Sequence, residues 1–404
     1  MSATAARDSL PGGTPRPGAS RGRVCFYSPF AYPLISSRAI PFAGGAEAMV
    51  VRLARGLAAR GYDVCLVTCD YGQPGREEID GVTVLRAFRP HGGLRGLRFF
   101  HRLSLAIAAL MRADADTYYV CDWGMAAGLT CDVARLRRAG FALAMMTDYG
   151  VMTRPPANVG VTHRRWYLRA LRSADRVLAQ TEFQRAELRR NFGVESALLP
   201  NMVDIPERTV DPGQDGLVLW QATYKAIKRP GWFLTLARDL PQHRFAMAGV
   251  VPEKGSEEWD AALAAGRELP NLEVHGFLPE EELAALRGRS SLIVHTSPVE
   301  GFSNVLLEAW AAGLPTVSGV NPDDLVTREG LGAHAPDYPA LLEAVRRLMA
   351  DPEARRAAGR RARHYAEAHH APEVVLGLLM PVLDDLIAVT GRRRRRRGGD
   401  GDRG

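Results

Sequence analysis

The chain has 404 residues, 46% hydrophobic and 24% charged, the proportions of a soluble globular protein long enough for two domains of roughly 150 to 200 residues. Its formal charge of +7 sits at its ends: residues 391–404 carry +5 and residues 1–23 carry +3, so the body is close to neutral and no nucleic-acid groove is expected. No apolar run approaches the roughly 18 residues of a membrane span, and the first twenty residues lack the apolar core of a secretion signal, so a cytoplasmic protein is expected.

Residues 1–21, rich in Pro, Gly, Ser, Ala and Arg, are expected to be disordered. A strand at Val24–Tyr27 leads through a loop ending in Pro41-Phe42-Ala43-Gly44-Gly45-Ala46-Glu47 to a helix over Ala46–Arg60, then to a strand at Asp63–Thr68. This order is a βαβ unit. The amides of Gly44 and Gly45 could cradle a phosphate at the helix start, or the pair could be a plain turn. Further strands are expected at Val82–Ala87, Thr117–Val120, Ala142–Met146 and Arg176–Gln180, alternating with helices as in a doubly wound parallel sheet. The five cysteines, Cys25, Cys65, Cys69, Cys121 and Cys131, are odd in number and contain no Cys-x-x-Cys pair; reduced thiols and no metal site are expected.

Periodicity lapses around Leu199–Asp204 and Asp211–Gly213 and restarts at Leu217–Trp220, which divides the chain into domains at 22–208 and 209–370. The second domain reads Phe245–Ala248, Leu272–His275, Ser291–His295 and Pro315–Ser318 as strands. Just after its first strand lie Lys225 and Lys228. Lysine occurs at only one other position, Lys254, against 49 arginines, so an ammonium here suggests a phosphate pocket too narrow for a guanidinium; two exposed loop lysines are the plainer alternative.

The stretch from Pro298 to Val317 reads as a loop carrying Glu300 and Gly301, then a helix over Val305–Ala312 stopped by Gly313 and Pro315. Glu308 is a lone carboxylate among Val305, Leu306, Leu307, Ala309 and Trp310, where an unpaired charge is costly, so it should have a partner. The amides of Phe302, Ser303, Asn304 and Val305 at the helix start favour an anion. The alternative is a solvated Glu300, a capping Ser303 or Asn304, and a Glu308 that reaches water. Helices at Tyr338–Met349 and Pro352–His369 precede an apolar segment, Pro372–Thr390, interrupted by Pro381, from which a crossover helix at 371–390 is expected. Residues 391–404, with six consecutive arginines from Arg392 to Arg397, are expected to be a disordered basic tail, with weak attraction to an anionic membrane surface as a functional alternative.

The run EGFSNVLLEAWAAGLPTV, a Glu-x7-Glu element, resembles the donor-site signature of retaining glycosyltransferases of family 4. The resemblance extends from about Arg23 to His370 and includes Gly44-Gly45-Ala46-Glu47, Ser173-Ala174-Asp175-Arg176-Val177 and Pro200-Asn201-Met202-Val203-Asp204. It implies the GT-B fold: two doubly wound Rossmann-like domains facing across a cleft, with a C-terminal helix returning to the first. It also implies retaining, metal-independent transfer of a sugar from a nucleotide-sugar donor, without a cofactor, to a glycan, glycolipid or small-molecule acceptor. By the same resemblance Glu308 would accept hydrogen bonds from the ribose hydroxyls and Glu300 from the sugar's. Lys228, with Lys225 and the Gly44 and Gly45 amides, would stabilise the leaving diphosphate. There are two departures. Thr223 stands where the family carries arginine, and Asp148 is the candidate where many members carry a histidine. A nucleotide-sugar epimerase of the same fold, and a non-catalytic nucleotide-sugar binder, are the alternatives.

Overall fold

The computed structural model describes residues 20–36, 44–90, 92, 97–153, 160–214, 216–250 and 263–400. The expected disorder at residues 1–19 and 401–404, the Pro41–Ala43 part of the glycine loop, and Lys254 lie outside the described residues, as do the side chains of residues 395–400.

The first sheet contains β1 (Arg23–Tyr27), β2 (Asp63–Thr68), β3 (Arg76–Ile79), β4 (Val82–Arg86), β5 (Thr117–Cys121), β6 (Gly140–Ala144), β7 (Arg176–Ala179) and β8 (Ala197–Leu198), in the spatial order 3-4-2-1-5-6-7-8. The second contains β9 (Leu217–Gln221), β10 (Phe245–Ala248), β11 (Leu272–Val274), β12 (Ser290–His295), β13 (Thr316–Ser318) and β14 (Gly332–His334), in the order 11-10-9-12-13-14. Every pairing is parallel except β3 with β4. Helices cover both faces of such sheets, so β6 and β12 are buried along their whole length; β6 reads in sequence as an unbroken apolar run, and β12 carries Leu292, Ile293 and Val294 between buried Ser290, Ser291 and His295. The strand β3, Arg-Glu-Glu-Ile, is a charged edge that alternates between exposed and half-buried, which is why no apolar run announces it.

This is a pair of doubly wound α/β domains. Strand order reverses between β1 and β5 in the first and between β9 and β12 in the second, and a crevice opens outside the carboxyl ends of the strands at each reversal. The chain passes between the sheets twice, and the passages touch: Val203 donates its amide to the His370 carbonyl at 3.0 Å, and the His370 ring lies 2.7 Å from the Asn201 carbonyl through Nδ1. Burial pushes His370 down to about 4.

From His370 the chain enters a helix, Pro372–Asp400, that lies on the first domain. Its Val375, Leu376, Leu379, Leu383 and Leu386 are fully buried beside Val24, Leu53, Leu57 and Val64. Gly56 permits this approach, since a Cβ there would stand 2.6 Å from Leu376 Cδ1. Three expectations need correcting. The helix is not interrupted at Pro381; that ring sits on the exposed face, and burial on either side offsets the roughly 3 kcal/mol of a helical proline. The basic segment through Asp400 is helical rather than disordered, with Arg393 bonded to Asp175 at 2.6 Å and Arg394 to Asp116 at 3.0 Å. Finally, an 18-residue window within Pro352–Arg394 has a mean hydropathy of 1.9, enough by length and composition for a membrane span; a third of that window is buried, its buried turns packed on the first domain. Residues 20 and 21, placed in the disordered segment, are described, and the Arg21 amide bonds the Gly61 carbonyl at 3.0 Å.

Candidate active site

A cleft of about 1430 Å³ separates the domains where the two crevices meet. Gly44, Gly45, Arg52 and Thr147 line it from the first domain. From the second come Thr223, Lys225, Lys228, Glu300, the run Phe302 to Val305, and Glu308. All the donor-binding residues expected from sequence thus share one cavity. Asp148 does not line it: its carboxylate turns aside to take a hydrogen bond of 3.0 Å from Gln184 Nε2, and burial raises its pKa.

The loop before the Asn304–Ala311 helix reaches across to the first domain. Asn304 Nδ2 donates to the Gly45 carbonyl at 2.8 Å, and Asn201 Nδ2 donates to Asn304 Oδ1 at 2.9 Å and to the Phe302 carbonyl at 3.1 Å. Gly301 sits in the tightest place, where a Cβ would lie 2.8 Å from the Met146 carbonyl and 2.9 Å from Gln180 Oε1. A second bridge lies nearby. Asp323, at the left-handed φ of 47°, accepts from the Glu182 and Phe183 amides at 2.8 and 3.0 Å and so caps a helix of the other domain.

One acid of the Glu-x7-Glu pair, Glu300, faces Lys228 Nζ in a short ion pair and lies 3.4 Å from His295 Nε2. Burial alone would raise this carboxyl; His295 and Lys228 outweigh it and hold Glu300 down at about 2. Ser303 occupies the cap position of the Asn304–Ala311 helix without capping it: its hydroxyl lies 3.3 Å from His295 Nε2. The Lys228 backbone is pinned by the hydroxyl of Thr296 at the end of β12, a hydroxyl that also accepts from Trp220 Nε1 at 2.9 Å.

The other acid, Glu308, is 15% exposed and meets three side chains. Arg52, from the first domain, lies 3.3 Å from Oε1; Gln221 Nε2 and Arg287 Nη1 lie 2.9 and 3.4 Å from Oε2. Burial would lower the Arg52 pKa, and the charges of Glu308 and Asp204 reverse that and raise it. Thus Glu308 bridges two domains. Sequence reasoning found it as a lone charge in an apolar helix and missed Arg52, which is the same signal in Val50-Val51-Arg52-Leu53-Ala54, and Arg287 in Leu286-Arg287-Gly288. It also missed His295, the one ionisable residue in the apolar strand β12.

A side chamber of about 190 Å³ adjoins the cleft on the first domain, sharing Ala46, Met146 and Thr147 with it. Glu47, Cys121, Asp122, Trp123 and Met145 complete its wall. At roughly 30 Å³ per water its volume suits a single sugar ring or small polyol, and not a nucleotide. Burial raises both Glu47 and Asp122; Asp122 is bonded by the Trp123 and Ala126 amides at 2.8 and 3.0 Å. The Thr147 hydroxyl is buried and finds no partner among the described residues. No group of three His, Cys, Asp or Glu among the described residues is placed to hold a metal ion, and the five cysteines are free thiols.

Two doubly wound domains that meet across one cleft, with a C-terminal helix folded back on the first, are the GT-B architecture. Consecutive family profiles match this chain: Glycosyltransferase Family 4 over residues 43–207 and Glycosyl transferases group 1 over residues 208–365. The chain belongs to the group 1 glycosyltransferases. A stretch of 211 residues is 28% identical to an exopolysaccharide phosphotransferase of Streptomyces coelicolor, covering 50% of this chain and 21% of that protein, so the match spans about a fifth of the relative's length. Among solved structures, sucrose-phosphate synthase from Thermosynechococcus elongatus superposes with a TM-score of 0.75 at 20% identity, covering 91% of this chain and 99% of that one. A variant of S. aureus TarM solved with UDP gives 0.58 at 15% identity, covering 70% of this chain and 59% of that one. At these identities the likeness is one of fold.

Proposed function

We propose that the protein is a retaining, metal-independent glycosyltransferase that takes a sugar from a nucleotide-sugar donor in the interdomain cleft. The observation that carries this is the pair of Glu300, in the loop after β12, and Glu308, one turn inside the Asn304–Ala311 helix, each set against cations inside the same cavity. In this reading the ribose hydroxyls replace Arg52 or Gln221 as partners of Glu308. The donor diphosphate draws Lys228 from Glu300, and the freed carboxylate accepts hydrogen bonds from the sugar. A carboxyl held at about 2 is ionised at any physiological pH, so Glu300 acts as an acceptor and a stabiliser of positive charge, never as the acid.

Lys228, Lys225 and the amides at the Gly45–Ala58 helix start would stabilise the charge that grows on the leaving diphosphate. Lys225, two residues from Thr223 and lining the same cleft, supplies the positive charge that Thr223 lacks. The acceptor hydroxyl would attack on the face the diphosphate leaves, its proton passing to that phosphate. The side chamber of Glu47, Asp122 and Thr147 is where we place the acceptor. Its two carboxyls disfavour a phosphorylated group and suit a polyhydroxylated one. The free thiols fit a cytoplasmic setting, and the Streptomyces relative makes a polysaccharide one candidate acceptor.

The test is thermal stabilisation of the whole chain by UDP-, GDP-, TDP- and ADP-sugars, for the native protein and for Glu308→Ala and Lys228→Ala. A ligand at a hundred times its Kd stabilises the folded protein by about 2.7 kcal/mol. A shift with one nucleotide class, reduced in both variants, supports the reading. No shift with any donor defeats it. Binding without transfer to any acceptor favours the non-catalytic alternative, to which Thr223 lends weight, and turnover without acceptor favours the epimerase.

A further inference from the structure

The helix Arg98–Ala113 packs its inner face, Ala106, Ala109, Leu110 and Ala113, into the core of the first domain. Its other face is unlike any surface the proposed transfer reaction uses. On it Leu97, Phe100 and Ile107 are exposed at 61, 66 and 36%; Phe99, 43% exposed and in line with Leu103 and Ala106 at the helix start, meets the Phe100 ring edge to face with centroids 5.4 Å apart. Leu97, Phe100 and Ile107 recur at helical spacing and form one stripe. The helix itself is basic: from Arg98 to Ala113 it carries three arginines, Arg98, Arg102 and Arg112, one histidine, and no aspartate or glutamate, while Arg89 before it is paired with Asp70 at 3.2 Å.

Aromatic and aliphatic side chains on one face of a helix, flanked by cations, match the layered chemistry of a lipid surface with apolar chains beneath anionic headgroups. We propose that this face docks on an anionic lipid bilayer. The placement in the fold gives the docked orientation. The helix follows β4, so in a parallel sheet its start lies at the carboxyl edge of the strands, the edge that also bears Gly44, Asp122 and Thr147. A bilayer held by Phe99 and Phe100 therefore borders the side of the first domain on which the cleft and its side chamber open. The arginine run at the chain's end is differently placed. Arg393 and Arg394 are bonded to Asp175 and Asp116, which precede β7 and β5 at the amino edge of the same sheet. A membrane held there would lie away from the cleft, so the docking face is the Arg98–Ala113 helix and not the terminal arginines.

The experiment is co-sedimentation of the full chain with phosphatidylcholine vesicles and with vesicles that also contain phosphatidylglycerol, at low and high salt. It compares the native protein with Phe99→Ser/Phe100→Ser and with Arg392→Gln/Arg396→Gln/Arg397→Gln, which leaves the paired arginines in place. The expected result is salt-sensitive binding to the anionic vesicles alone, weakened about tenfold or more by the phenylalanine pair and little changed by the arginine triple. Both altered rings are exposed, so the variant should keep the native melting temperature, which checks its folding. No binding to anionic vesicles, equal binding to both kinds, or binding that depends on the triple and not the pair would overturn the proposal. So would a native dimer abolished by the phenylalanine pair, which would make the face a protein contact.

Discussion

Replacing Lys228 with Met keeps the length of the side chain and removes the charge that faces Glu300. Burial raises the Glu300 carboxyl, yet with His295 and Lys228 beside it the group sits at about 2 against an ordinary 4.5, a difference worth about 3.4 kcal/mol at 1.36 kcal/mol per pH unit. Glu300 and Lys228 are 20% and 23% exposed, so solvent screening removes only part of this. If His295 retains about half, Lys228→Met should raise Glu300 by roughly one pH unit, equivalent to ~1.5 kcal/mol. A carboxyl 13C titration, with Glu300→Gln to assign the signal, reads that shift directly. The sign in stability follows from the depressed folded value: the contribution is complete above about 4.5 and is lost as pH falls toward 2, and in the variant the loss should be smaller and finish at a higher pH. If this lysine also meets the leaving diphosphate, transfer should slow by about a hundred- to a thousandfold. A Glu300 signal that moves by no more than a few tenths of a pH unit would refute the electrostatic account of the pair.

Glu308→Ala takes one carboxylate from Arg52 and Arg287, which keep Asp204 and Glu280 as partners, and should cost about 1 to 2 kcal/mol in denaturant unfolding, whereas Glu308→Gln keeps the hydrogen-bonding shape and should cost less; equal costs would show that the charge is not used. Gly301→Ala drives a methyl into the Met146 carbonyl and strains the contact between the domains, so donor-dependent thermal stabilisation and transfer should both fall and the ligand-free melting temperature should drop as well; an unchanged transfer rate would count against closure at this loop. Asp323→Ala removes a cap supplied from the opposite domain; a loss of about 1 kcal/mol and faster hydrogen exchange at the Glu182 and Phe183 amides are expected, and unchanged exchange would deny the bridge. His370 is held at about 4, below its ordinary 6.5, so the unfolded chain takes the proton first as pH falls. Stability is therefore full above about 6.5 and declines toward pH 4 by up to about 3.4 kcal/mol, and His370→Asn should flatten that decline in melting temperature.

Much of the architecture is legible in the sequence because parallel strands covered on both faces must be apolar throughout. The runs at β1, β5, β6 and β12 are unmistakable, while β3 is an edge strand carrying charge and gives no such signal. Helix limits shifted by a residue or two, as for Asn304–Ala311 against an expected Val305–Ala312, since Ser303 spends its hydroxyl on His295 instead of a cap. The terminal arginines looked like a free tail because a run of like charges repels itself. In the fold, Asp116 and Asp175 lie where Arg394 and Arg393 reach them, and the apolar turns before them anchor the helix.

Local pattern by itself determined the two α/β domains, the helix starts near Gly45 and Asn304, and the presence of an unusual carboxylate at Glu308. Those features depend on neighbours within a few positions, which a linear reading can see. Only the tertiary structure decided what that carboxylate faces. Arg52 lies 256 positions away, on another domain, and comes within 3.3 Å because two switch points are held face to face by Asn201, Asn304 and Asp323. Within the second domain the fold pairs Lys228 with Glu300 across 72 positions, and within the first it turns Asp148 toward Gln184 and away from the cleft. Charge pairing acts through space over a few ångströms, and sequence separation carries no trace of it.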